Sequence, residues 1–279
     1  MALQPTISVI VTTYNWPSAL DHVLAGLAEQ SYAAMEVIIA DDGSGEETKA
    51  CISQWQSRVN FPLKHCWQPD EGFRAGQIRN KAVLMASHDY IIFLDGDCIP
   101  QPSFVKRHAQ LAEKGWFVSG TRLLLQKEFT HQLLQGTPKA HRLSFVHWCL
   151  TRLKGDCNRC VTLLPFPLGW LRRMSPKRWQ GVKTCNLGVW REDVLRVNGF
   201  DAHFSGWGFE DSDLIIRLLR CGFRRKQGKY ATTVLHLWHP EQDRSALTAN
   251  QALLDRTLLG NAIWASDGIA QILPEKDVG

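Results

Sequence analysis

From residue 7 the chain alternates unbroken apolar runs with amphipathic ones. ISVIVT (7–12) is β-branched and uncharged, as a strand covered on both faces should be. Residues 18–30 place Leu20, Val23, Leu24 and Leu27 on one helical stripe. EVIIA (36–40) predicts a second strand, 46–57 a polar helix, 63–67 a short strand and 74–86 a helix. YIIFL (90–94) predicts the next strand, 103–114 a helix, and FVSGTRLLL (117–125) a strand that closes the run. Strands alternating with helices imply right-handed crossovers and a mostly parallel sheet flanked by helices, an α/β, Rossmann-like domain. From 126 to 182 the pattern lapses into a stretch rich in Arg, Lys, Trp and Pro, which reads as an insertion or mobile lobe. Regular structure is expected again at CNLGVWRED (185–193), then a helix over 210–221, a strand over 232–237 and a helix over 245–264. The expected organisation is thus 1–125, a basic and aromatic insert at 126–182, and 183–279.

Sheets of this type bind ligands beyond the carboxyl ends of their strands. Those positions read Thr12-Thr13-Tyr14-Asn15, Asp41-Asp42-Gly43-Ser44 and Asp95-Gly96-Asp97. If the last is extended, side chains at i and i+2 share a side, so Asp95 and Asp97 could grip one hard divalent cation, Mg²⁺ or Mn²⁺. The bland alternative is an exposed turn with two solvated acids. DDGS is sound turn chemistry by itself, and otherwise supplies a carboxylate for a nucleobase N–H. SGWGFEDSDL (205–214) opens a helix with Glu210, Asp211 and Asp213, which the helix dipole alone would favour. The preceding Gly206 and Trp207 add a flat apolar platform of the kind a sugar ring needs, beside a carboxylate able to take a hydroxyl proton. In LHLWHP, His236 ends a strand that reaches the edge of Asp97, with His239 as the fallback ligand. Cys157 and Cys160 form one C-x-x-C; with His147 and Cys149 nearby a zinc site is conceivable, though a structural zinc site wants four ligands.

Composition narrows the classes. Of 279 residues, 44% are hydrophobic and 21% charged, with a net charge of +5. This is too mild for a nucleic-acid-binding tail and suits an anionic small molecule or a weak pull toward an anionic membrane. Eight cysteines show no framework spacing, so reduced thiols and a cytoplasmic location are expected. The first residues lack the basic region of a signal peptide, and no apolar run approaches the roughly 18–20 residues of a spanning helix.

In order, ISVIVTTYNW, VIIADDGS, EGFRAGQIRNKA, YIIFLDGDCIP, NLGVWREDVLRVNGFD and GWGFEDSDL resemble the motifs of family-2 glycosyltransferases, which have the A-type nucleotide-sugar fold. The last two also resemble the acceptor region of β-galactosyltransferases and chondroitin-polymerase-like enzymes. The resemblance covers about 1–125 and 183–240, and Trp16 stands where many members carry a smaller or polar residue. It implies that Thr12, Tyr14, Asp42 and, second to it, Asp41 line a nucleoside pocket, and that Arg79 and Asn80 lie along a diphosphate. It implies that Asp97, Asp95 and His236 hold the metal, that Asp211 is the catalytic base, and that Glu210, Trp207 and Gly206 hold the sugars. Donors of this family are α-linked, so in-line displacement from a UDP-sugar would give a β-linked product on a glycan or glycolipid, such as a lipopolysaccharide core.

The cations of 152–183, interleaved with Phe166, Trp170 and Trp179, are either a solvated loop or a contact with an anionic amphiphile. The second reading places the enzyme peripherally at the inner face of a bacterial membrane. A sugar nucleotidyltransferase would want a glycine-rich basic loop after the first strand, where TTYNWP stands instead. A non-catalytic carbohydrate-binding protein would not need the full set of carboxylates.

Overall fold

The structure, a computed structural model, describes residues 4–136, 139–241 and 243–273. Residues 1–3, which bear on the reading of the chain start, and 274–279, the end of the last expected part, lie outside these.

In chain order the elements are β1 (Ile7–Thr13), α1 (Pro17–Ala28), β2 (Met35–Asp41), α2 (Glu46–Gln56), β3 (Leu63–Trp67), α3 (Ala75–Met85), β4 (Tyr90–Asp95), β5 (Cys98–Pro100) and α4 (Phe104–Leu111). They continue as β6 (Trp116–Ser119), β7 (Thr121–Leu124), α5 (Lys127–Leu134), α6 (Phe145–Leu153), β8 (Asn186–Trp190), α7 (Arg191–Arg196), α8 (Glu210–Arg220), β9 (Arg224–Gln227), β10 (Thr233–His236) and α9 (Leu247–Leu259). A seven-stranded sheet runs β3-β2-β1-β4-β8-β6-β9, and a small one runs β5-β10-β7. The large sheet is parallel except for β8, which lies antiparallel to β4 and β6.

The two-residue period of a strand explains the layering. Val9 and Val11 of β1 pack with Leu20, Val23, Leu24 and Leu27 of α1. Ile10 joins the core on the other face, with Ile78, Ala82 and Val83 of α3 and Leu214, Ile215 and Leu218 of α8. Both faces of the sheet are therefore covered, which is why its central strands are continuously apolar.

Three stretches differ from the pattern-based expectation. FVSGTRLLL is two strands in different sheets: Ser119 ends β6 in the large sheet and Thr121 starts β7 in the small one. Between them a Cβ on Gly120 would lie 2.0 Å from Asn186 Oδ1, so only glycine permits this approach. RRKQ (224–227) is a strand at the sheet edge, where charge protects an open rim. The basic stretch holds α5 and α6, and α6 points its aliphatic residues outward: Val146, Leu150 and Leu153 are 68%, 52% and 83% exposed, while Trp148 is buried. Among the described residues no helix is long and apolar enough to cross a membrane.

Candidate active site

The carboxyl ends of β1, β2 and β4, the end of β10 and the start of α8 border one cavity of about 510 Å³. Where β1 and β2 end lie Thr12, Tyr14 and Asp42. The Asp42 carboxylate is buried and accepts from Gln68 Nε2 at 2.6 Å and from the Arg74 amide at 2.7 Å. Burial nevertheless raises its pKa, against the lowering pull of those bonds. The half-exposed Tyr14 hydroxyl donates to Asp70 at 2.8 Å. Asp41 lies outside the cavity lining: it accepts from the Ser44 amide at 2.8 Å and meets His65 Nε2 at 2.9 Å, so it ties the turn.

The cavity floor is an acid cluster around one guanidinium. Arg79, 4% exposed, reaches Asp95 Oδ1 at 3.1 Å, Glu210 Oε1 at 3.3 Å, Asp211 Oδ1 at 3.9 Å and Thr12 Oγ1 at 3.0 Å. Burial opposes the charge of Arg79, but Asp95, Asp211 and Glu210 outweigh it and hold its pKa above the ordinary value. Three acids surround one buried guanidinium, and the crowding shows in the titration of Glu210 and Asp95. Burial, followed by repulsion from Asp211, pushes Glu210 up to about 7, with Arg79 pulling the other way. Enclosure pushes Asp95 up to about 6; Arg79 lowers it and Asp97 adds to the rise. Asn80, one residue on, lies outside the lining and is fully buried, exchanging hydrogen bonds of 2.8 Å with the Phe200 backbone N–H and C=O.

Asp95 and Asp97 do not sit in one extended segment. Asp95 ends β4, and Gly96 and Asp97 form the turn into β5. The turn sends Asp97 to the tip of β10, where its Oδ2 lies 3.6 Å from His236 Nε2 and 3.4 Å from His239 Nε2. Asp97 Oδ1 is buried with no hydrogen-bond partner. Burial, chiefly, lowers the His236 pKa, keeping the imidazole neutral and able to ligate. Asp97, Cys98 and His236 bring ligand atoms within 4.8 Å of one another, the one such cluster among the described residues. Cys98 is fully buried, which holds its thiol protonated well above the usual range. The oxygen and nitrogen donors that remain, with an orphaned carboxylate oxygen beside them, fit a hard or borderline divalent cation. The zinc reading of Cys157, Cys160, Cys149 and His147 finds no such cluster among the described residues.

Where α8 begins, Phe209 caps it at φ +73°, a left-handed conformation costly for a bulky residue and common at functional sites. Trp207 lines the cavity with the Arg244 guanidinium 5.2 Å from its ring. Gly206 lies outside the lining at φ +71°, bonded to the Phe73 carbonyl at 2.9 Å. A Cβ there would lie 2.5 Å from that of Ala246, so this glycine serves packing against the approach to α9. Asp211 accepts from Thr184 Oγ1 at 2.5 Å, and Lys183 Nζ lies 4.0 Å away. Thr184, Arg122 and Trp238 line the cavity without a motif to mark them; Thr184 precedes β8 and Trp238 follows β10, while Arg122 lies within β7.

The family-2 glycosyl transferase model matches residues 8–160, and a model described as the N-terminal domain of galactosyltransferase matches 174–240. Validoxylamine A glucosyltransferase of Streptomyces hygroscopicus subsp. jinggangensis is 30% identical over 77% of this chain and 51% of its own length. Chondroitin synthase of Escherichia coli is 27% identical over 81% of this chain and 34% of its own. The chain thus spans about half or less of the length of these relatives. Among solved structures, the mannosyltransferase PcManGT from Pyrobaculum calidifontis, in complex with GDP-Man and Mn²⁺, matches 93% of this chain and 64% of its own at 17% identity and a TM-score of 0.58. Residues 1–349 of S. aureus TarS in complex with UDP match 95% of this chain and 68% of their own at 14% identity and a TM-score of 0.60. Sequence and fold agree with the strand-end cavity just described: the chain belongs to glycosyltransferase family 2 and has the A-type fold.

Proposed function

We propose that the chain transfers a sugar from a nucleotide-diphosphate donor, UDP-linked, to a glycan or glycolipid hydroxyl with inversion, giving a β-linkage. The observation that carries this is the meeting in one cavity of Asp42, Asp95, Asp97, Arg79, Glu210, Asp211 and His236, drawn from distant segments. The UDP bound to TarS and the GDP-Man and Mn²⁺ bound to PcManGT support a nucleotide-sugar donor and a divalent cation.

Asp97 and His236 would hold the cation, with Asp95 behind them and His239 within reach. A cation there supplies charge stabilisation to a departing diphosphate. Thr12, Tyr14 and Asp42 seat the nucleoside, and Asp42 offers its carboxylate to a base N–H. Arg79 holds Asp95, Glu210 and Asp211 together so that their mutual repulsion does not open the floor. Asp211, oriented by Thr184, takes the proton of the incoming hydroxyl, a contribution of about 10²–10⁴-fold. Trp207 gives the sugar a flat apolar wall.

Asp211→Asn is expected to cost about that factor in turnover while UDP affinity in Mn²⁺ stays unchanged. Turnover retained at the wild-type rate would remove Asp211 from its role.

We further read the outward apolar face of α6, beside the exposed Arg152 and Lys154, as a contact with an anionic membrane at its cytoplasmic side. Co-sedimentation with anionic but not neutral vesicles, weakened by salt, is expected; no sedimentation at low salt would refute the contact. A phosphorylated lipid-linked glycan, as in a lipopolysaccharide core, is the acceptor class this surface suits.

A further inference from the structure

A second cavity, of about 730 Å³, opens at the other end of β10, and no residue lines both. Tyr230 and Ala231, just before the strand, border it, whereas His236 at the far end borders the donor cavity. Its volume falls within the range of roughly 300–1,000 Å³ typical of small-molecule sites.

The charge balance of this cavity is unsatisfied. Arg172 is 7% exposed, yet donates only to carbonyls: Gln227 at 2.8 Å, Lys229 at 2.7 Å and Phe166 at 3.0 Å. Among the described residues Arg107 donates only to Gln110 Oε1, at 3.4 Å. Among the described residues no carboxylate lies within 4.0 Å of either guanidinium. The nearby acid, Glu113, is taken by Arg173 and Lys226, each at 2.6 Å. A buried cation without a counter-charge is costly, and burial together with Arg107 lowers the Arg172 pKa.

The walls are aromatic. Phe166 and Tyr230 stand edge to face at 6.4 Å, and Trp170 is 75% exposed at the mouth. Tyr230 is held at φ +62°, a conformation that a bulky residue keeps only where its surroundings impose it. Guanidinium forks match phosphate oxygens, and flat rings match the apolar face of a sugar. We propose that this cavity binds a sugar phosphate, with Arg107 and Arg172 on the phosphate and Trp170 over the ring. The phosphate is that of a lipid headgroup or of a soluble compound. The proposal is independent of the donor assignment, because no residue lines both cavities.

The test uses the whole chain, with glucose 6-phosphate, glucose and inorganic phosphate as soluble probes. Vesicles of phosphatidylcholine with and without phosphatidylinositol 4-phosphate form the second arm, and UDP with Mn²⁺ is the folding control. Glucose 6-phosphate is expected to bind at least about tenfold more tightly than glucose, and Arg107→Gln or Trp170→Ala to lose about tenfold, with UDP binding unchanged. Binding confined to the phosphoinositide vesicles, and lost in Arg107→Gln, would identify a lipid headgroup; binding of the soluble probe would show that the sugar phosphate suffices. Absence of binding in both arms, or binding that Arg107→Gln leaves intact while UDP still binds, would overturn the proposal.

Discussion

The two ends of β10 border cavities of opposite electrostatic character. At the His236 end, Asp95, Glu210 and Asp211 crowd a single buried Arg79, and Asp97 adds an orphaned oxygen. At the Tyr230 end, Arg107 and Arg172 have no carboxylate among the described residues, and Glu113 is shared between two further cations. In the readings proposed above, a divalent cation with its diphosphate would balance the acids, and the phosphate of a sugar phosphate would balance the cations. One short strand therefore separates two places where folding leaves charge for a ligand to balance.

The acid end breaks most readily through the buried Arg79 at its centre. Arg79→Leu removes the counter-charge from three enclosed carboxylates and is expected to destabilise the metal-free chain by about 3–5 kcal/mol in urea unfolding. Arg107→Gln at the other end should change stability by less than about 0.5 kcal/mol, as Arg107 holds no buried partner. Similar losses from both would erase the contrast.

The next effect is a dependence on pH. Glu210 is raised from 4.5 to about 7, so between those values the folded chain keeps a proton the unfolded chain has lost. Stability from the neutral form is full below pH 4.5 and fades as pH rises through 7. Glu210→Gln cannot lose it. Relative to that variant the metal-free wild type should give up on the order of 3 kcal/mol from pH 4.5 to 7.5. Parallel stability curves for the two proteins would show that burial and the neighbouring Asp211 do not hold Glu210 protonated.

How far such features could be read from the chain depended on what each residue packs against. β1, β2 and β4 were legible because strands buried on both faces leave unbroken apolar runs. Asp42, Asp95 and Asp97 stood out because they lie at or just past the ends of those runs, and Glu210 and Asp211 because they open a helix after the glycine–aromatic loop. The order of Asp42 before Asp41 came only with the resemblance, since a single step along the chain decides which carboxylate faces the cavity and which ties the turn to His65. The resemblance put Asn80 beside Arg79 along a diphosphate, yet one residue of helix turns it onto the Phe200 backbone. Strand β9 was illegible because an edge strand can be RRKQ, and Gly120 hid a change of sheet inside one apolar run. The far cavity was legible only in part: the cations and rings of 152–183 supply Phe166, Trp170, Arg172 and Arg173, but nothing in the spacing announces that Arg107 of α4 and Lys226 of β9 meet them.

The smallest expected effect concerns α6, where the usual relation between apolar residues and the core is reversed. Trp148 packs inward against Phe129 with ring centroids 6.0 Å apart, while Val146, Leu150 and Leu153 face solvent. A residue that is 83% exposed contributes little to the core, so Leu153→Gln should alter unfolding free energy by no more than about 0.5 kcal/mol. A purely structural surface predicts nothing further. A membrane face predicts that the same change, which strips an apolar anchor but leaves every cation, weakens vesicle binding by a salt-independent factor of about tenfold. Arg152→Gln, which removes charge but no apolar area, should instead weaken binding only at low salt. Both substitutions scaling alike with salt would mean that α6 lies away from the lipid and that the cations alone make the contact.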